Sequence, residues 1–221
     1  MSGKFIVLEG SDGSGTTSMR DEILKYLNKT GYFGKIIVTQ EPSNSAIGLL
    51  LRKILKKEII GKFSSRELTH LFLADRINHV NNVIRPALES GKHVICDRYY
   101  PSTLVYQSIK ESLVDSITQM KNLYSEMFLC DGPWIIEPDL ILFFNAEIDT
   151  LRRRRSLRGG KPEIFDDDKY QRMIVDLYQA WFSMNLGNKN MVEIKAEQDY
   201  ETVKNECIAT VQCYLDGNQL W

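Results

Sequence analysis

Three glycines and several hydroxyl side chains follow the first short apolar run of the sequence, between Gly10 and Thr17. Gly10, Gly13 and Gly15 allow the backbone to turn its N–H groups inward around a phosphate, and the helix predicted after them directs its positive N-terminus to the same point. The spacing matches the P-loop pattern GxxxxGK[ST] at every position but one, where Thr16 replaces the lysine. Because the loop lies between a predicted strand and a predicted helix, phosphate binding is favoured over a tight turn without a ligand.

The loop predicts a site for ATP and Mg²⁺, in which Thr17 has the hydroxyl position that holds the metal. The missing lysine removes a unit charge, worth roughly 4 kcal/mol at ~4 Å and an effective dielectric of ~20, or on the order of a thousandfold in rate. Three interpretations stay open: another cation substitutes, the enzyme is slow, or the chain binds nucleotides without catalysis. Thr16, at the lysine position, is counted among the catalytic residues. The predicted nucleotide-binding residues are Gly10, Ser11, Gly13, Ser14, Gly15, Thr16, Thr17 and Ser18.

An acidic and a basic residue, Asp97 and Arg98, follow the apolar run His93–Cys96. An acid at the carboxyl end of a central strand faces the ligand crevice of an open α/β sheet. There Asp97 can reach Mg²⁺ or its waters, and Arg98 can bind a phosphate through two parallel hydrogen bonds. We therefore expect Asp97 to be a catalytic residue and, with Thr17, a metal ligand. The alternative is a surface salt bridge.

Five short apolar runs alternate with longer segments of helical pattern. The runs are continuously apolar, as in a parallel sheet covered on both faces, and the alternation predicts an α/β fold with a doubly wound five-stranded parallel sheet flanked by helices. The expected strands are Phe5–Leu8, Ile36–Val38, His93–Cys96, Leu140–Phe144 and Met191–Ile194. The expected helices are Thr16–Asn28, Ser45–Lys56, Ser65–Glu89, Ser102–Met127, Ile148–Arg155, Asp167–Met184 and Tyr200–Leu215.

The bulk composition narrows the class of protein. The 221 residues suit one α/β domain, residues 1–221, and 43% apolar with 26% charged residues is typical of a globular chain. The formal net charge of −1 gives no basic excess, so neither nucleic acid nor an anionic membrane is an expected partner. No stretch approaches the length of a membrane span. Four scattered cysteines without a CxxC pair favour a reduced, cytoplasmic protein over a disulfide or zinc framework.

Several segments resemble, in the same order, motifs of thymidylate kinases, which are P-loop nucleoside-monophosphate kinases. Each match is short, but together they run from about Lys4 to Trp221. The matching segments are Asp12 within the loop, Thr39-Gln40-Glu41-Pro42 (similar to TREP), Leu71 to His79 (similar to LFaAdRxxH), Asp97 to Gln107 (similar to DR[YH]xxSxxAYQ), Pro138-Asp139-Leu140, and the ending Gly217 to Trp221 (similar to GELW).

The resemblance implies that the chain transfers the γ-phosphoryl group of ATP to dTMP with Mg²⁺, giving dTDP and ADP. It also implies that Phe72 stacks on the thymine ring and that Arg76 hydrogen-bonds the edge of the base. The i,i+4 spacing of these two residues puts both on one helix face. Without the flanking motifs, a core phenylalanine beside a surface arginine is the simpler interpretation.

The same resemblance implies the other contacts to the acceptor. Arg98 and Arg52 would bind its phosphate, Asp12 would receive the sugar 3′-hydroxyl, and Gln107 would lie near the base. Tyr106 would pack under the deoxyribose and disfavour a 2′-hydroxyl. The expected substrate-binding residues are therefore Asp12, Arg52, Phe72, Arg76, Arg98, Ser102, Tyr106 and Gln107.

An arginine run, Arg152 to Arg155 with Arg158, follows the fourth strand, where the resemblance places a helical lid over ATP at about residues 152–166. A charge run is usually a solvated face, but arginines in a lid can stabilise the transferring phosphoryl group. Four consecutive arginines of a helix cannot all face one site. We expect Arg154 and Arg158, one turn apart, to be catalytic, with Arg155 in reserve. Position 13 is glycine rather than arginine, which favours cations supplied by the lid.

Two alternatives stay open beside this reading: another nucleoside-monophosphate or deoxynucleoside kinase, and a catalytically weak nucleotide-binding relative. A nucleoside kinase would not need Arg98 as a phosphate clamp. The resemblance further implies a homodimer packed through long helices. Besides the lysine, the sequence departs from the family pattern at Gln40 (usually arginine), Ser43-Asn44 (usually glycines), Asn145 (often aspartate) and Ile164 (often a lid arginine).

Overall fold

The computed structural model describes residues 3–129, 135–159, 164 and 167–217. Its strands are β1 (Phe5–Gly10), β2 (Ile36–Gln40), β3 (His93–Asp97), β4 (Leu140–Asn145) and β5 (Met191–Lys195). They pair in parallel in the order β2-β3-β1-β4-β5. The expected five-stranded parallel sheet is thus confirmed, and each strand extends one or two residues beyond its expected carboxyl end.

Helices connect the strands and cover both faces of the sheet. They are α1 (Thr16–Lys29), α2 (Ala46–Leu55), α3 (Ser65–His79), α4 (Arg85–Glu89), α5 (Tyr100–Gln107), α6 (Leu113–Leu129), α7 (Ile148–Arg158), α8 (Asp168–Met184) and α9 (Tyr200–Leu215). Within the described residues, none of these helices is both long and apolar enough to cross a membrane.

Alternate residues of the central strand β1 pack into two different apolar layers, because successive side chains of a strand point to opposite faces of the sheet. Phe5 and Val7 pack in the layer that includes Trp181 of α8, whereas Ile6 and Leu8 pack in the layer that includes Ile23 of α1. These β1 side chains are all fully buried. Burial on both faces explains why the strand is continuously apolar.

The carboxyl ends of three neighbouring strands meet at one edge of the sheet. Leu8 of β1 pairs with Asp97 of β3, and Gln40 of β2 pairs with the same residue from the other side. The loop that starts after Gly10 and the acidic end of β3 therefore lie side by side, at the edge where the sequence predicted that Asp97 faces the ligand crevice of the sheet.

The expected helix Ser102–Met127 is wrong, since two helices, α5 and α6, occupy that region. Where α6 begins, Ser116 Oγ accepts a hydrogen bond from the Lys110 N–H at 2.8 Å, and Ser112 Oγ accepts one from the Asp115 N–H at 3.1 Å. Such side-chain-to-backbone bonds compete with the helical ladder and cap a new helix. Helix α5 also begins earlier, at Tyr100, with a proline in its first turn.

The expected helix Ser65–Glu89 is also divided, by one π-helical turn at Val80–Ile84. The Arg85 N–H donates to the carbonyl of Val80, five residues before it. The extra residue in the turn leaves both Val80 and Ile84 fully buried against the sheet.

The described ends of the chain lie together at the amino edge of the sheet. Lys4, which precedes β1, has its Nζ 5.4 Å from the centroid of the Tyr214 ring near the end of α9. Tyr32 also donates a hydrogen bond to Asp216 at 2.9 Å. This edge is opposite the one where the loop and Asp97 meet.

Candidate active site

The glycine-rich loop adopts the backbone that its sequence predicts. Gly13 and Gly15 have φ angles of 91° and 100°, a region that residues with a Cβ rarely adopt, and Gly15 is the N-cap of α1. A Cβ at Gly10 would come within 2.6 Å of Ser14 Oγ. That Oγ is buried and has no hydrogen-bond partner among the described atoms. The loop therefore combines inward amides, a helix N-terminus and a spare hydroxyl, which together fit a polyphosphate.

The other predicted nucleotide-binding residues lie in the same turn. Ser11 accepts a backbone hydrogen bond from the Ser14 N–H at 3.0 Å and closes the loop. Thr16, the first residue of α1, is buried, whereas Thr17 and Ser18 are exposed at the start of the helix.

Thr17 and Asp97 come together as the sequence predicted for a metal site. Thr17 Oγ1 donates to Asp97 Oδ2 at 2.5 Å, and Asp97 Oδ1 is buried without a partner in the described structure. A hydroxyl beside a carboxylate with a free oxygen is a hard oxygen donor set, which suits Mg²⁺. The residues present thus fit the metal that the sequence predicted.

Arg20 is a residue that the sequence reasoning missed. It lies on α1, one turn after Thr16, and its side chain is only 13% exposed. Its Nη1 donates to Gln40 Oε1 at 3.2 Å and lies 3.6 Å from Asp97 Oδ2. Its Nε and Nη2 donate to the exposed Asp21. The i,i+4 spacing from Thr16 was the available signal, since it places both side chains on one face of the helix.

Asp12 of the loop and Arg98 of the β3 end form an ion pair that joins the phosphate loop to the neighbouring cavity. Arg98 Nη2 lies 2.7 Å from Asp12 Oδ1, and Arg98 Nη1 donates to the hydroxyls of Ser102 and Tyr106 at 3.2 and 3.3 Å. Arg98 has φ 71°, an uncommon conformation for a side chain of this size. This turn directs its guanidinium back over the loop.

The buried carboxylate of Glu9 stabilises this arrangement through hydrogen bonds. It accepts hydrogen bonds from the Tyr99 N–H at 2.6 Å, from the Ser102 hydroxyl at 2.8 Å and from the Tyr178 hydroxyl at 2.9 Å. Burial raises the pKa of Glu9, and the positive charge of Arg98 opposes that shift. Glu9 therefore fixes the start of α5 and the position of Ser102.

A cavity of about 440 Å³, including the open space at its mouth, begins at Asp12 and Arg98. It contains seven of the eight predicted acceptor residues. Its lining residues are Asp12, Glu41, Pro42, Phe72, Arg76, Arg98, Tyr99, Ser102, Thr103, Tyr106 and Gln107.

Two lining residues present unused hydrogen-bond donors. Arg76 Nη1 and Gln107 Nε2 are buried and lack a hydrogen-bond partner in the described part of the chain. Phe72 lies on the same helix as Arg76, one turn before it, and supplies an aromatic face. Since buried donors are nearly always satisfied in proteins, these two nitrogens suit a planar ligand with carbonyl acceptors on its edge.

Glu41 and His79 hold Arg76 in place, although neither was among the predicted site residues. Glu41 Oε2 accepts from Arg76 Nε and Nη2 at 2.9 and 2.6 Å, and Glu41 Oε1 lies 3.1 Å from His79 Nδ1. His79 Nε2 lies 2.6 Å from the Thr39 hydroxyl. Arg76 and Glu41 are almost fully buried, so this is a desolvated ion pair with hydrogen bonds on both partners.

Arg52 lies beside the cavity rather than in its lining. Its Nη2 donates to the carbonyl of Pro42, and its Nη1 donates to Asn44 Oδ1 at 3.0 Å. Asn44 follows Ser43, whose hydroxyl and N–H both donate to the buried Asp75, at 2.5 and 2.7 Å. Arg52 thus stabilises the loop after β2, and this loop contributes Glu41 and Pro42 to the cavity lining.

Two arginines of α7 reach the phosphate loop. Arg154 Nη2 donates to the Ala196 carbonyl at 2.7 Å and its Nη1 lies 3.5 Å from the Ser14 carbonyl, while Arg155 Nη1 donates to the Asp12 carbonyl at 3.0 Å. Arg152 instead pairs with acids at the surface. The side chain of Arg158 and most of residues 159–166 lie outside the described residues. Of the expected pair, Arg154 therefore contacts the loop, and Arg155 joins it there.

The central strand β1 runs into a glycine-rich phosphate loop, and Asp97 ends the neighbouring strand β3 beside it. This combination defines a P-loop phosphotransferase. The family model "Thymidylate kinase" matches residues 8–207. A thymidylate kinase of Caldicellulosiruptor saccharolyticus is 34% identical over 92% of this chain and 93% of its own length. A probable thymidylate kinase of Pyrococcus horikoshii is 32% identical over 98% of this chain and 100% of its own. The chain belongs to the thymidylate kinase family.

Comparison of structures supports the fold in the same way. The crystal structure of thymidylate kinase from Ehrlichia chaffeensis matches with a TM-score of 0.69 over 96% of this chain and 100% of that chain, at 22% sequence identity.

Proposed function

We propose that the chain transfers the γ-phosphoryl group of ATP to dTMP, giving dTDP and ADP. The observation that carries this proposal is the Asp12–Arg98 ion pair, which places the phosphate loop and the base-sized cavity side by side. Membership of the thymidylate kinase family supports the same reaction.

The loop and α1 would hold the donor. Amides of Gly13 to Thr17 and the N-terminus of α1 bind the phosphate chain, and the hydroxyl of Ser14 adds one more donor. Thr17 and Asp97 would hold Mg²⁺, which supplies charge neutralisation at the phosphates when bound. Arg154 and Arg155 approach the loop from α7, the described part of the proposed lid at about residues 152–166. The protein's task is positioning and charge stabilisation rather than covalent chemistry.

The cavity would hold the acceptor. Phe72 stacks on the thymine ring, and the free nitrogens of Arg76 and Gln107 bond its carbonyl oxygens. Arg98 leaves Asp12 in part to bind the 5′-phosphate, so Asp12 can accept from the 3′-hydroxyl. Burial raises the pKa of Tyr106 far above its ordinary value, so its phenol stays neutral beneath the sugar.

A turnover assay with ATP and Mg²⁺ tests the proposal, with dTMP compared against dUMP, CMP and thymidine. We expect dTDP as the preferred product and no phosphorylation of thymidine, since a nucleoside offers Arg98 no phosphate. A chain that phosphorylates CMP or thymidine better than dTMP is a different kinase. A chain that binds ATP and turns over none of these acceptors is a nucleotide-binding relative.

We further propose a cytoplasmic homodimer in which each copy is one domain with its own site. Exposed apolar side chains on α2, Leu49 and Leu50, suit a surface between copies of the chain. Light scattering after size exclusion should give about twice the chain mass of 25.5 kDa. A mass near that of one chain at micromolar concentration would contradict the dimer.

A further inference from the structure

The chain lacks two positively charged side chains that the P-loop pattern and the TREP segment carry near the phosphates. Position 16, the P-loop lysine position, is threonine, and position 40, the arginine of the TREP-like segment, is glutamine. Arg20 lies between these two positions. It is one helical turn from Thr16, and its Nη1 donates to Gln40 at 3.2 Å.

We propose that Arg20 is a catalytic residue that contacts the transferred phosphoryl group and supplies the charge absent from positions 16 and 40. This inference rests on the proposed phosphoryl transfer.

The first support is proximity to the metal position. Arg20 Nη1 lies 3.6 Å from Asp97 Oδ2, the same oxygen that accepts from Thr17 Oγ1 at 2.5 Å. Because they share this oxygen, the guanidinium nitrogen and the Thr17 hydroxyl are no more than about 6 Å apart. A few rotations of a long side chain cover that distance, so the group can reach a phosphate bound beside Thr17.

The second support is the direction of approach. The loop amides and the N-terminus of α1 would hold the donor on the side of β1. Arg154 and Arg155 reach the loop from α7. Arg20 comes from the β2–β3 side, where Gln40 pairs with Asp97 and Glu41 opens the acceptor cavity. A cation on that side would face the gap between the proposed donor and acceptor sites, where the phosphoryl group would be transferred.

The third support is availability. Arg98 is bonded to Asp12, and Arg76 is bonded to the buried Glu41. Arg20 instead pairs with Asp21, whose side chain is 60% exposed, with the neutral amide of Gln40 and, at 3.6 Å, with Asp97. An ion pair with an exposed carboxylate contributes little to stability, so Arg20 can leave Asp21 while it stays beside Asp97.

The test compares the parent chain with Arg20→Met, Arg20→Lys and a matched control, Arg66→Met, which removes an exposed arginine of α3. Methionine keeps the length and helix propensity of the side chain, so the fold should be retained. We expect kcat of Arg20→Met to fall about 10²-fold or more, a modest figure beside arginine fingers, with ADP affinity within about threefold. Unchanged kcat in Arg20→Met would overturn the proposal.

Two further measurements separate contact from positioning of Asp97. ADP with aluminium fluoride and dTMP mimics the transferred group, and Arg20→Met should lose affinity for this complex but not for ADP alone. Adding Arg20→Met to Asp97→Asn should slow single turnover further, because the two residues act on different atoms. No further loss in that double variant, together with full binding of the fluoride complex, would make Arg20 only a positioning residue for Asp97.

Failure of the proposed function and failure of the Arg20 proposal give different results. If the parent chain phosphorylates no acceptor, the proposed function fails, and Arg20 is then judged by binding. Its charge should still favour ATP over ADP, and Arg20→Met should remove that preference. An unchanged ATP-to-ADP affinity ratio would overturn the Arg20 proposal as well.

Discussion

Phe72 lines the cavity on the same helix face as Arg76, with its ring available to a planar base. Phe72→Ala should weaken dTMP binding by ~1–3 kcal/mol, the range for stacking of a base on an aromatic ring, while ATP affinity stays unchanged. Calorimetric titration with each nucleotide measures both. Phe33→Ala, which removes a ring that is 81% exposed, is the control. An equal loss for both nucleotides, or none for dTMP, would place the base elsewhere.

Asp97 is the acid that links Thr17, Arg20 and the proposed metal position. Asp97→Asn keeps its shape and removes its charge, so kcat should fall by on the order of 10²-fold while the melting temperature changes little. Steady-state rates across a Mg²⁺ titration provide the measurement, with Asp176→Asn on the exposed face of α8 as control. Parent-like turnover of Asp97→Asn at saturating Mg²⁺ would remove this acid from the mechanism.

Single residues were predictable from sequence where motif and strand end coincide. Asp97 ends β3 and the loop glycines begin at the end of β1, so topology alone brings them to one edge. Arg20, Glu41 and His79 were missed because their roles depend on contacts between α1, α3 and the end of β2. The separations of these contacts along the chain, 20 to 40 residues, leave no local pattern.

At the scale of elements, helix α7 brings Arg154 and Arg155 to the phosphate loop, and we propose that catalysis depends on closure of the lid that this helix begins. Replacing Arg154 and Arg158 with alanine together should lower turnover ~10²-fold or more, whereas ATP binding through the loop amides should persist. Steady-state kinetics and an ATP titration measure the two effects. Arg152→Ala with Arg153→Ala, from the same run but directed to the surface, is the matched control.

Adding Thr16→Lys to the double alanine variant should restore part of the lost rate. The lysine and the α7 arginines serve one task, so their effects are not additive. A parent chain that is inactive and becomes active through Thr16→Lys alone would contradict compensation by arginines. The nucleotide-binding reading would then hold.

Helix boundaries were predicted well except where short polar side chains intervene. The expected end of α9 is correct and α8 begins one residue later than expected, whereas α7 continues to Arg158, three residues beyond its expected end. The break before α6 arises from bonds of Ser112 and Ser116 to nearby backbone, and the π turn at Val80–Ile84 carries two fully buried apolar side chains. Neither event changes the apolar periodicity enough to be seen in sequence.

At the scale of the whole molecule, His93 at the start of β3 couples folding to pH. Its Nδ1 accepts from the Lys4 N–H at 3.0 Å. Burial lowers the pKa of His93 from its ordinary 6.5, and the charges of Lys35 and Lys4 lower it further. As pH falls below 6.5 the unfolded chain takes up this proton before the folded chain does. The stabilisation is therefore complete above pH 6.5 and is lost as pH falls toward the folded pKa.

His93→Asn, which keeps an acceptor and cannot titrate, should flatten the decline of unfolding free energy between pH 7 and pH 5. The slope of the unfolding free energy against pH gives the number of protons taken up on unfolding, and this number should differ between the variant and the parent by up to about one. Urea unfolding at several pH values measures this slope. His70→Asn, at an exposed position of α3, should leave it unchanged. Identical slopes for the parent and His93→Asn would show that His93 titrates alike in both states.

The proximity of Lys4 to Tyr214 matters for protein engineering. A short peptide linker between residues 3 and 217 would close the backbone into a ring, and the exposed turn at Gly187 offers a place to reopen it. Fusion partners, fluorophores or a solid support attached at residue 3 or residue 217 would stand on the far side from the phosphate loop. The architecture thus suits immobilised biocatalysts and tandem fusions, since attachment and substrate traffic use opposite faces.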